Sequence, residues 1–205
     1  MKTDILIIGA GPAGIFTALE LIRKGYKGHI TLVEKGQSVE KRHCPKAETG
    51  RCMNCKPYCH ITTGFSNVQF GEGGAGTFSD GKLSLSHEVG GDLPTLVGER
   101  LAQETIDYAD SIYLEFGADT HIEGISDPDK VKDIRRRAIQ AGLKLVDCPI
   151  RHMGTEKAQG IYLAIERYLA ENGVELIFGW ECLDLRLKDE TCLGGVISNG
   201  KEERE

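Results

Sequence analysis

The sequence contains no apolar stretch long enough to cross a lipid bilayer as a helix. It also lacks a stripe of lysine and arginine residues, and its formal net charge at pH 7 is −6. These absences argue against a membrane protein and against nucleic acid as a partner. Hydrophobic residues make up 40% of the chain and charged residues 27%, as is usual for a globular protein, and 205 residues suffice for one large domain or two small ones.

The sequence shows no internal repeat, no low-complexity linker and no secretion signal. Its N-terminal apolar run is only a few residues long and leads straight into a glycine turn, so we interpret it as a buried strand and not as a signal peptide. The chain has seven cysteines, an odd number. Without a secretion signal, this count favours reduced thiols in the cytoplasm.

The first motif is a glycine turn between a strand and a helix. Residues 5–8 are apolar, and after them Gly9, Gly11 and Gly14 form the pattern G-x-G-x-x-G. Apolar residues between positions 15 and 22 then repeat with the spacing of one helical face. In this fingerprint the first glycine makes a tight turn, the second lets a pyrophosphate approach the backbone, and the third lets the helix pack on the strand. The helix N-terminus offers N–H groups and partial positive charge to the phosphates.

An acidic residue completes this motif. The second apolar run, residues 30–33, ends at Glu34, about twenty positions after the glycines, where the fingerprint has its ribose-binding carboxylate. Strand, helix, second strand and acid together predict a dinucleotide-binding βαβ unit. The alternative is an ordinary glycine turn in a βαβ unit that binds no ligand.

Four cysteines lie close together in the next segment: Cys44, Cys52, Cys55 and Cys59. Cys52 and Cys55 have the C-x-x-C spacing of paired thiolate ligands, and the other two complete a set of four for zinc or an iron–sulfur cluster. The same pair is also compatible with a redox dithiol that exchanges electrons with a nearby flavin. A loop of unengaged thiols is the third interpretation, because the spacing fits no standard ferredoxin pattern well.

A second glycine-rich segment covers residues 66–83. Gly71, Gly73 and Gly76 formally repeat the G-x-G-x-x-G pattern, but no clean strand precedes them and no helical periodicity follows. We therefore interpret the segment as a loop whose backbone N–H groups line an anionic or flavin surface. A flexible surface loop is the alternative.

Residues 9–14, GAGPAG, paired with residues 68–83, VQFGEGGAGTFSDGKL, resemble the poorly characterised FAD-dependent dehydrogenases of the glutathione-reductase-like flavoprotein superfamily. The resemblance continues more weakly through residues 151–155 and a hairpin at 194–200. It implies an FAD cofactor, with the first glycine motif and the acid on the ADP half and residues 73–76 near the pyrophosphate or the isoalloxazine. The cysteine cluster is not universal in that family, so the resemblance implies no metal. The predicted cofactor-binding residues are Gly9, Gly11, Pro12, Ala13, Gly14, Glu34, Lys35, Gly73, Gly74, Ala75 and Gly76.

Members of this family run well beyond the length of this chain. We therefore expect the chain to be an N-terminal portion that lacks the family's second FAD-contacting segment, binds FAD weakly and turns over little by itself. The predicted fold class is α/β. A Rossmann-type FAD-binding domain with the cysteine- and glycine-rich loops is expected in residues 1–90, and the start of a second, incomplete α+β subdomain in residues 91–205.

Apolar spacing in the second half predicts three helices and several strands. The helices are expected at 97–116, from Pro128 onward behind an N-cap at Asp127, and around Ile161, Ile165 and Leu169; the strands are expected at 143–146, 176–178, 182–187 and 191–198, the last two joined by a turn at 188–190.

Two basic groups in this half each allow two interpretations. Arg151 and His152 follow a strand end, a position that can face the ligand crevice of an α/β sheet. His152 is either a proton carrier for a flavin reaction or a hydrogen-bonded structural residue. The arginine run 135–137 is either a solvated helix face or a phosphate site.

The sequence thus predicts a cytoplasmic FAD-dependent oxidoreductase, a dehydrogenase that acts on an unknown small molecule. No Ser-His-Asp arrangement and no paired carboxylate identifies a catalytic residue, as expected where the flavin carries the chemistry. The alternatives are a non-catalytic nucleotide- or metal-binding fragment and a flavin-linked dithiol oxidoreductase that uses Cys52 and Cys55.

Overall fold

The computed structural model describes residues 2–41, 49–51 and 81–205. Several predicted site residues lie outside these ranges, and their roles stay predictions: Cys44, Cys52, Cys55, Cys59, Gly73, Gly74, Ala75 and Gly76. In chain order the elements are β1 (Ile5–Ile8), α1 (Pro12–Arg23), β2 (Ile30–Glu34), a 3₁₀ turn (Val39–Lys41), β3 (Lys82–Ser84), α2 (Leu93–Val97), α3 (Glu99–Glu115), α4 (Pro128–Gln140), β4 (Ile150–His152), α5 (Thr155–Glu171), β5 (Val174–Phe178), β6 (Glu181–Lys188), β7 (Thr191–Ser198) and β8 (Glu203–Arg204).

The described residues form two compact units. The first combines the described part of 1–78 with 162–205, and the second is the described part of 79–161. The predicted domains, 1–90 and 91–205, are each contiguous, whereas the first unit is not. The difference arises because β5 pairs with the N-terminal strand β2, and the sheet β6-β7-β8 that follows belongs to the same unit.

The first unit contains a three-stranded parallel sheet in the order β1-β2-β5. All five residues of the central strand β2 are buried, as is usual for a parallel sheet that is covered on both faces. Ile8 lies opposite Val33, and Glu34 lies opposite Phe178, so the carboxyl ends of the three strands meet at one edge. The predicted βαβ unit and the α/β fold class are confirmed.

Two helices contribute apolar residues to the core of this unit. Ile15 and Leu19 of α1 are buried, as the helical spacing predicts. Ile165 and Leu169 of α5 are also buried, and α5 ends just before Asn172, as predicted. These residues repeat at intervals of four positions, which places them on one face of each helix.

The first unit also contains an antiparallel sheet in the order β6-β7-β8. Strands β6 and β7 form the predicted hairpin, whose turn residues Asp189 and Glu190 both have positive φ angles, 47° and 64°. Two successive positive φ angles match the right-handed twist of a hairpin. Where this sheet meets the unit's core, Val33, Trp180 and Ile197 form a buried apolar cluster.

The second unit contains the two-stranded antiparallel ladder β3-β4 and the helices α2, α3 and α4. The predicted N-cap of α4 is confirmed, since the Asp127 side chain accepts a hydrogen bond of 3.0 Å from the N–H of Lys130. None of the helices in the described part of the chain is long and apolar enough to span a membrane.

The helix expected at 97–116 is present as α3, but it begins only after Gly98, whose φ is 83°. Its predicted inner face is wrong in part, since Ile112 is buried but Leu101 and Tyr108 are 48% and 43% exposed. The buried face of α3 turns Asp110 inward toward a buried arginine, which apolar periodicity does not reveal. Residues 143–146, predicted as a strand, pair with no other strand among the described residues, and the ladder begins only at Ile150.

Candidate functional site

The turn between β1 and α1 needs two of its glycines for the protein's own packing. Gly9 has a φ of 99°, in the region that favours glycine, and its N–H donates a hydrogen bond of 2.7 Å to the carbonyl oxygen of Val33. A Cβ atom added at Gly14 would lie 1.9 Å from the carbonyl oxygen of Gly9. Only glycine therefore allows α1 to pack this closely on the turn, as the fingerprint predicts for its third glycine.

Gly11 has a different environment. It is the N-cap residue of α1 with a φ of −72°, which any residue can adopt, and an added Cβ would meet no atom within 4 Å. No described neighbour therefore requires a glycine at this position. The open space lies at the N-terminus of α1, where no side chain caps the helix within the described residues. A pyrophosphate fits this arrangement, because it needs close access to backbone N–H groups.

The carboxylate of Glu34 holds the glycine turn in place. Glu34 is only 5% exposed. Its Oε2 atom accepts a hydrogen bond of 2.8 Å from the N–H of Ala10, and its Oε1 atom accepts one of 2.6 Å from the N–H of Gly36. Both oxygens of the carboxylate are thus held by backbone N–H groups at the end of β2, beside the glycine turn.

A cavity of about 320 Å³ opens at the carboxyl ends of β1 and β2. Its lining residues are Ile8, Gly9, Gly11, Val33, Glu34, Lys35, Trp180, Glu181 and Cys182. In open α/β sheets, ligands bind in the crevice outside the carboxyl ends of the strands. The structure thus brings four of the predicted cofactor-binding residues, Gly9, Gly11, Glu34 and Lys35, to one cavity. Pro12, Ala13 and Gly14 form the first turn of α1 beside it.

Sequence reasoning missed Trp180 as a site residue. It lies between β5 and β6, is 8% exposed and lines the cavity. Its backbone N–H donates a hydrogen bond of 3.1 Å to the carbonyl oxygen of Glu34. The backbone N–H of Gly179 donates one of 2.8 Å to the carbonyl oxygen of Gly36. The one available signal in the sequence is that Trp180 follows the end of an apolar strand, where parallel sheets place ligand-binding residues.

Arg151 has a structural role in the second unit. It is 3% exposed, and its guanidinium forms a two-bond ion pair with Asp110, one bond from Nε and one of 2.6 Å from Nη2. It also donates a hydrogen bond of 2.5 Å to the carbonyl oxygen of Asp119. The hydrogen bonds to Asp110 raise the pKa of Arg151, against the lowering effect of burial. Arg151 therefore links α3, β4 and the loop that follows α3.

His152 lies beside Arg151 in the chain but has a different environment. Its side chain is partly exposed, and its Nδ1 atom is 3.2 Å from Oε1 of Glu123. This contact is compatible with a hydrogen-bonded structural histidine. The role of proton carrier stays a prediction.

The arginine run of α4 forms ion pairs with carboxylates. Arg135 donates two hydrogen bonds, of 2.6 and 2.7 Å, to Asp147. Arg136 and Arg137 both contact Asp133, at 2.6 and 3.0 Å. All three arginine side chains are substantially exposed, so this arrangement agrees with the predicted solvated face.

No group of three or more potential metal ligands occurs among the residues that the structure describes. The four clustered cysteines are outside that part of the chain. Zinc or an iron–sulfur cluster at these residues stays a prediction, which metal and sulfide analysis of anaerobically purified protein tests.

Comparison with known proteins agrees with this site. Residues 2–52 match the family model described as FAD binding domain. These residues contain β1, α1, β2 and the glycine turn. The N-terminal part of the chain is therefore similar to an FAD-binding domain, and this match supports FAD as the cofactor.

Two solved structures have a similar fold. One is 3-ketosteroid-Δ4-(5α)-dehydrogenase from Rhodococcus jostii RHA1, with a TM-score of 0.53 and 12% identity over 98% of this chain and 43% of that chain. The other is L-amino acid deaminase from Proteus vulgaris, with a TM-score of 0.51 and 16% identity over 97% of this chain and 45% of that chain. At these identities the likeness concerns the fold alone.

A sequence relative is an uncharacterized protein from Clostridium beijerinckii, 46% identical over 84 residues. The matched region covers 41% of this chain but 14% of the relative. The chain thus spans a small part of this relative and less than half of the two solved structures.

Proposed function

We propose that this protein is an FAD-dependent oxidoreductase, a dehydrogenase of the glutathione-reductase-like flavoprotein superfamily, and that the cavity beside Glu34 holds the ADP half of its FAD. The observation that carries the proposal is the position of the Glu34 carboxylate. It is bound to the N–H of Ala10 in the glycine turn and lines the cavity at the carboxyl ends of the parallel strands. The match of residues 2–52 to an FAD binding domain supports the same assignment.

Three features of the chain contact different parts of the bound nucleotide in this proposal. The N-terminus of α1 and the open backbone at Gly11 accept the pyrophosphate. The carboxylate of Glu34 accepts hydrogen bonds from the ribose hydroxyls. Lys35, whose Nζ atom is 3.6 Å from Oε1 of Glu181, adds a cationic group to the cavity lining. These residues bind and orient the cofactor.

Bound FAD supplies the redox chemistry, a hydride transfer between a small-molecule substrate and N5 of the flavin. In this proposal the residues that line the cavity bind the nucleotide. The second glycine-rich segment, with Gly73, Gly74, Ala75 and Gly76, belongs to the flavin or pyrophosphate side in this proposal. The seven cysteines and the acidic net charge are consistent with a cytoplasmic enzyme that acts on a small molecule.

Two measurements on the purified chain test the proposal. Titration with FAD, followed by calorimetry and by the flavin absorption spectrum, should show saturable binding of one FAD per chain. Anaerobic exposure of the FAD complex to classes of reduced metabolites should bleach the flavin absorbance with one of them. A chain that binds neither FAD nor ADP would overturn the assignment of the cofactor. FAD binding without flavin reduction by any substrate class would favour the alternative of a non-catalytic nucleotide-binding module.

A further inference from the structure

Trp180 is the one tryptophan of the chain. Its indole packs in the cluster with Val33 and Ile197, and the residue also lines the cavity beside Glu34. It is therefore part of the apolar core and part of the wall of the cavity. A change in the cavity must alter the surroundings of this side chain.

Arg204 of β8 contacts the indole directly. Its guanidinium carbon lies 4.2 Å from the centroid of the Trp180 ring, a cation–π contact. Strand β8 pairs with β7 so that Arg204 lies opposite Ile197, and the Arg204 guanidinium is 2.9 Å from the Glu202 carboxylate. Arg204 is not among the described residues that line the cavity. The contact with Trp180 is therefore a direct link between Arg204 and the wall of the cavity.

The backbone around Trp180 is fixed to the end of β2. The N–H of Trp180 donates to the carbonyl oxygen of Glu34, and the N–H of Gly179 donates to that of Gly36. These hydrogen bonds fix the backbone of Trp180 relative to the end of β2. The contact with Arg204 holds its indole ring.

The cavity has two chemically different ends. The glycine turn and the Glu34 carboxylate suit a diphosphate and a ribose. Ile8, Val33 and Trp180 form the apolar part of the lining, which suits a base attached to the ribose. Flat aromatic bases pack well on aromatic and apolar side chains.

We propose that Trp180 forms a wall of the adenine subsite and that Arg204 is a positioning residue, which holds the indole in place from β8. The inference rests on the proposed function, since it assumes that the cavity takes an adenine nucleotide. It adds the residues that contact and position the base, which the glycine motif and the acid do not specify.

The single tryptophan makes a direct test possible. ADP, which has no flavin to absorb the emission, is titrated into the chain while the fluorescence of Trp180 is followed, and the affinity is measured independently by calorimetry. Saturable binding with a change in the Trp180 emission is the expected result. Ribose 5-phosphate, which lacks the base, should leave the emission unchanged.

Arginine variants separate positioning from a general effect of charge. Arg204→Ala should weaken ADP binding by about two- to fivefold, as for loss of one partly exposed cation–π contact. It should also shift the emission maximum of the free protein, because the indole loses its fixed neighbour. Arg204→Lys retains a cation over the ring and should restore most of the affinity. Arg186→Ala is the matched control, since Arg186 lies in the same sheet and pairs with Asp184 and Glu205.

The outcomes distinguish this inference from the proposed function. If the chain binds ADP while the Trp180 emission stays constant, and Arg204→Ala binds ADP as tightly as the wild type, the role of Trp180 and Arg204 is refuted and the nucleotide site stands. If the wild type binds neither ADP nor FAD, both proposals are overturned. Should Arg204→Ala fail to fold by circular dichroism, Trp180→Ser in calorimetry tests the same wall, because serine removes the aromatic face, and unchanged affinity would again refute it.

Discussion

The Oε2 atom of Glu34 accepts a hydrogen bond of 2.8 Å from the backbone N–H of Ala10. This bond joins the end of β2 to the glycine turn that follows β1. The same carboxylate accepts a second hydrogen bond from the N–H of Gly36 and lines the cavity. One buried side chain therefore stabilises the turn in the free protein and presents acceptors to the proposed ribose.

Replacing Glu34 with glutamine tests both roles. The amide of Glu34→Gln has one acceptor oxygen, so its NH₂ group would face the N–H of Ala10 or Gly36. A buried donor without a partner costs about 1–3 kcal/mol. We expect a loss of this size in urea unfolding and a clear loss of ADP affinity in calorimetry. Glu171→Gln, at an exposed position of α5, is the control and should change neither. Wild-type affinity in Glu34→Gln would remove Glu34 from the site.

The glycines at positions 11 and 14 should respond in opposite ways to alanine. Gly14→Ala places a Cβ 1.9 Å from the carbonyl oxygen of Gly9 and should destabilise the protein by about 1–3 kcal/mol or more. Gly11→Ala meets no neighbour within 4 Å, so its stability should stay near that of the wild type while ADP binding is lost. Gly194→Ala, also without neighbours within 4 Å, is the control for both. Unimpaired ADP binding by Gly11→Ala would show that no phosphate approaches this backbone.

Removing one partner of the ion pair between Arg151 and Asp110 should lower the free energy of unfolding strongly. Arg151→Met leaves the Asp110 carboxylate largely buried without its cation, and such changes cost about 3–5 kcal/mol. The double variant Arg151→Met/Asp110→Leu removes both charges and should recover most of the loss. Arg135→Met breaks an exposed pair with Asp147 and should cost no more than about 1 kcal/mol in thermal or urea unfolding. Equal losses in Arg151→Met and Arg135→Met would argue against a buried pair.

Asp119 should make the free energy of unfolding depend on pH in the acid range. The N–H of His121, and then Lys157, lower the pKa of Asp119 below its ordinary value of 3.8. A carboxyl whose pKa is lowered by folding stabilises the native state above the unfolded value, and this contribution is lost as the pH falls through the folded value. The difference in unfolding free energy between wild type and Asp119→Asn should therefore be constant from about pH 7 to about pH 5 and shrink below about pH 4.

A second variant identifies the cause of this pH dependence. Lys157→Met keeps the hydrogen bond from the His121 N–H, which is the larger influence on Asp119, and should retain most of the effect. A difference between wild type and Asp119→Asn that does not change down to about pH 3 would contradict the lowered pKa.

The local parts of this protein can be predicted from residues that are close together in the chain. The glycine turn, α1, the acid at the end of β2 and the turn at Asp189 and Glu190 were all predicted correctly. Each depends on neighbours close in the chain: helical spacing, backbone angles that favour particular residues, or the fixed interval between a glycine turn and an acid. The same holds for the N-cap at Asp127, where side chain and N–H are three residues apart.

Contacts between residues far apart in the chain depend on how the strands and helices pack. Arg204 reaches Trp180, and Trp180 reaches Glu34, only because β7 and β8 pair and β5 lies beside β2. Arg151 is buried because Asp110, 41 positions earlier in the chain, supplies its counter-charge. Periodicity of apolar residues could not predict that α3 turns a carboxylate inward, since a charge is buried only where a partner of opposite charge is already in place to offset its desolvation.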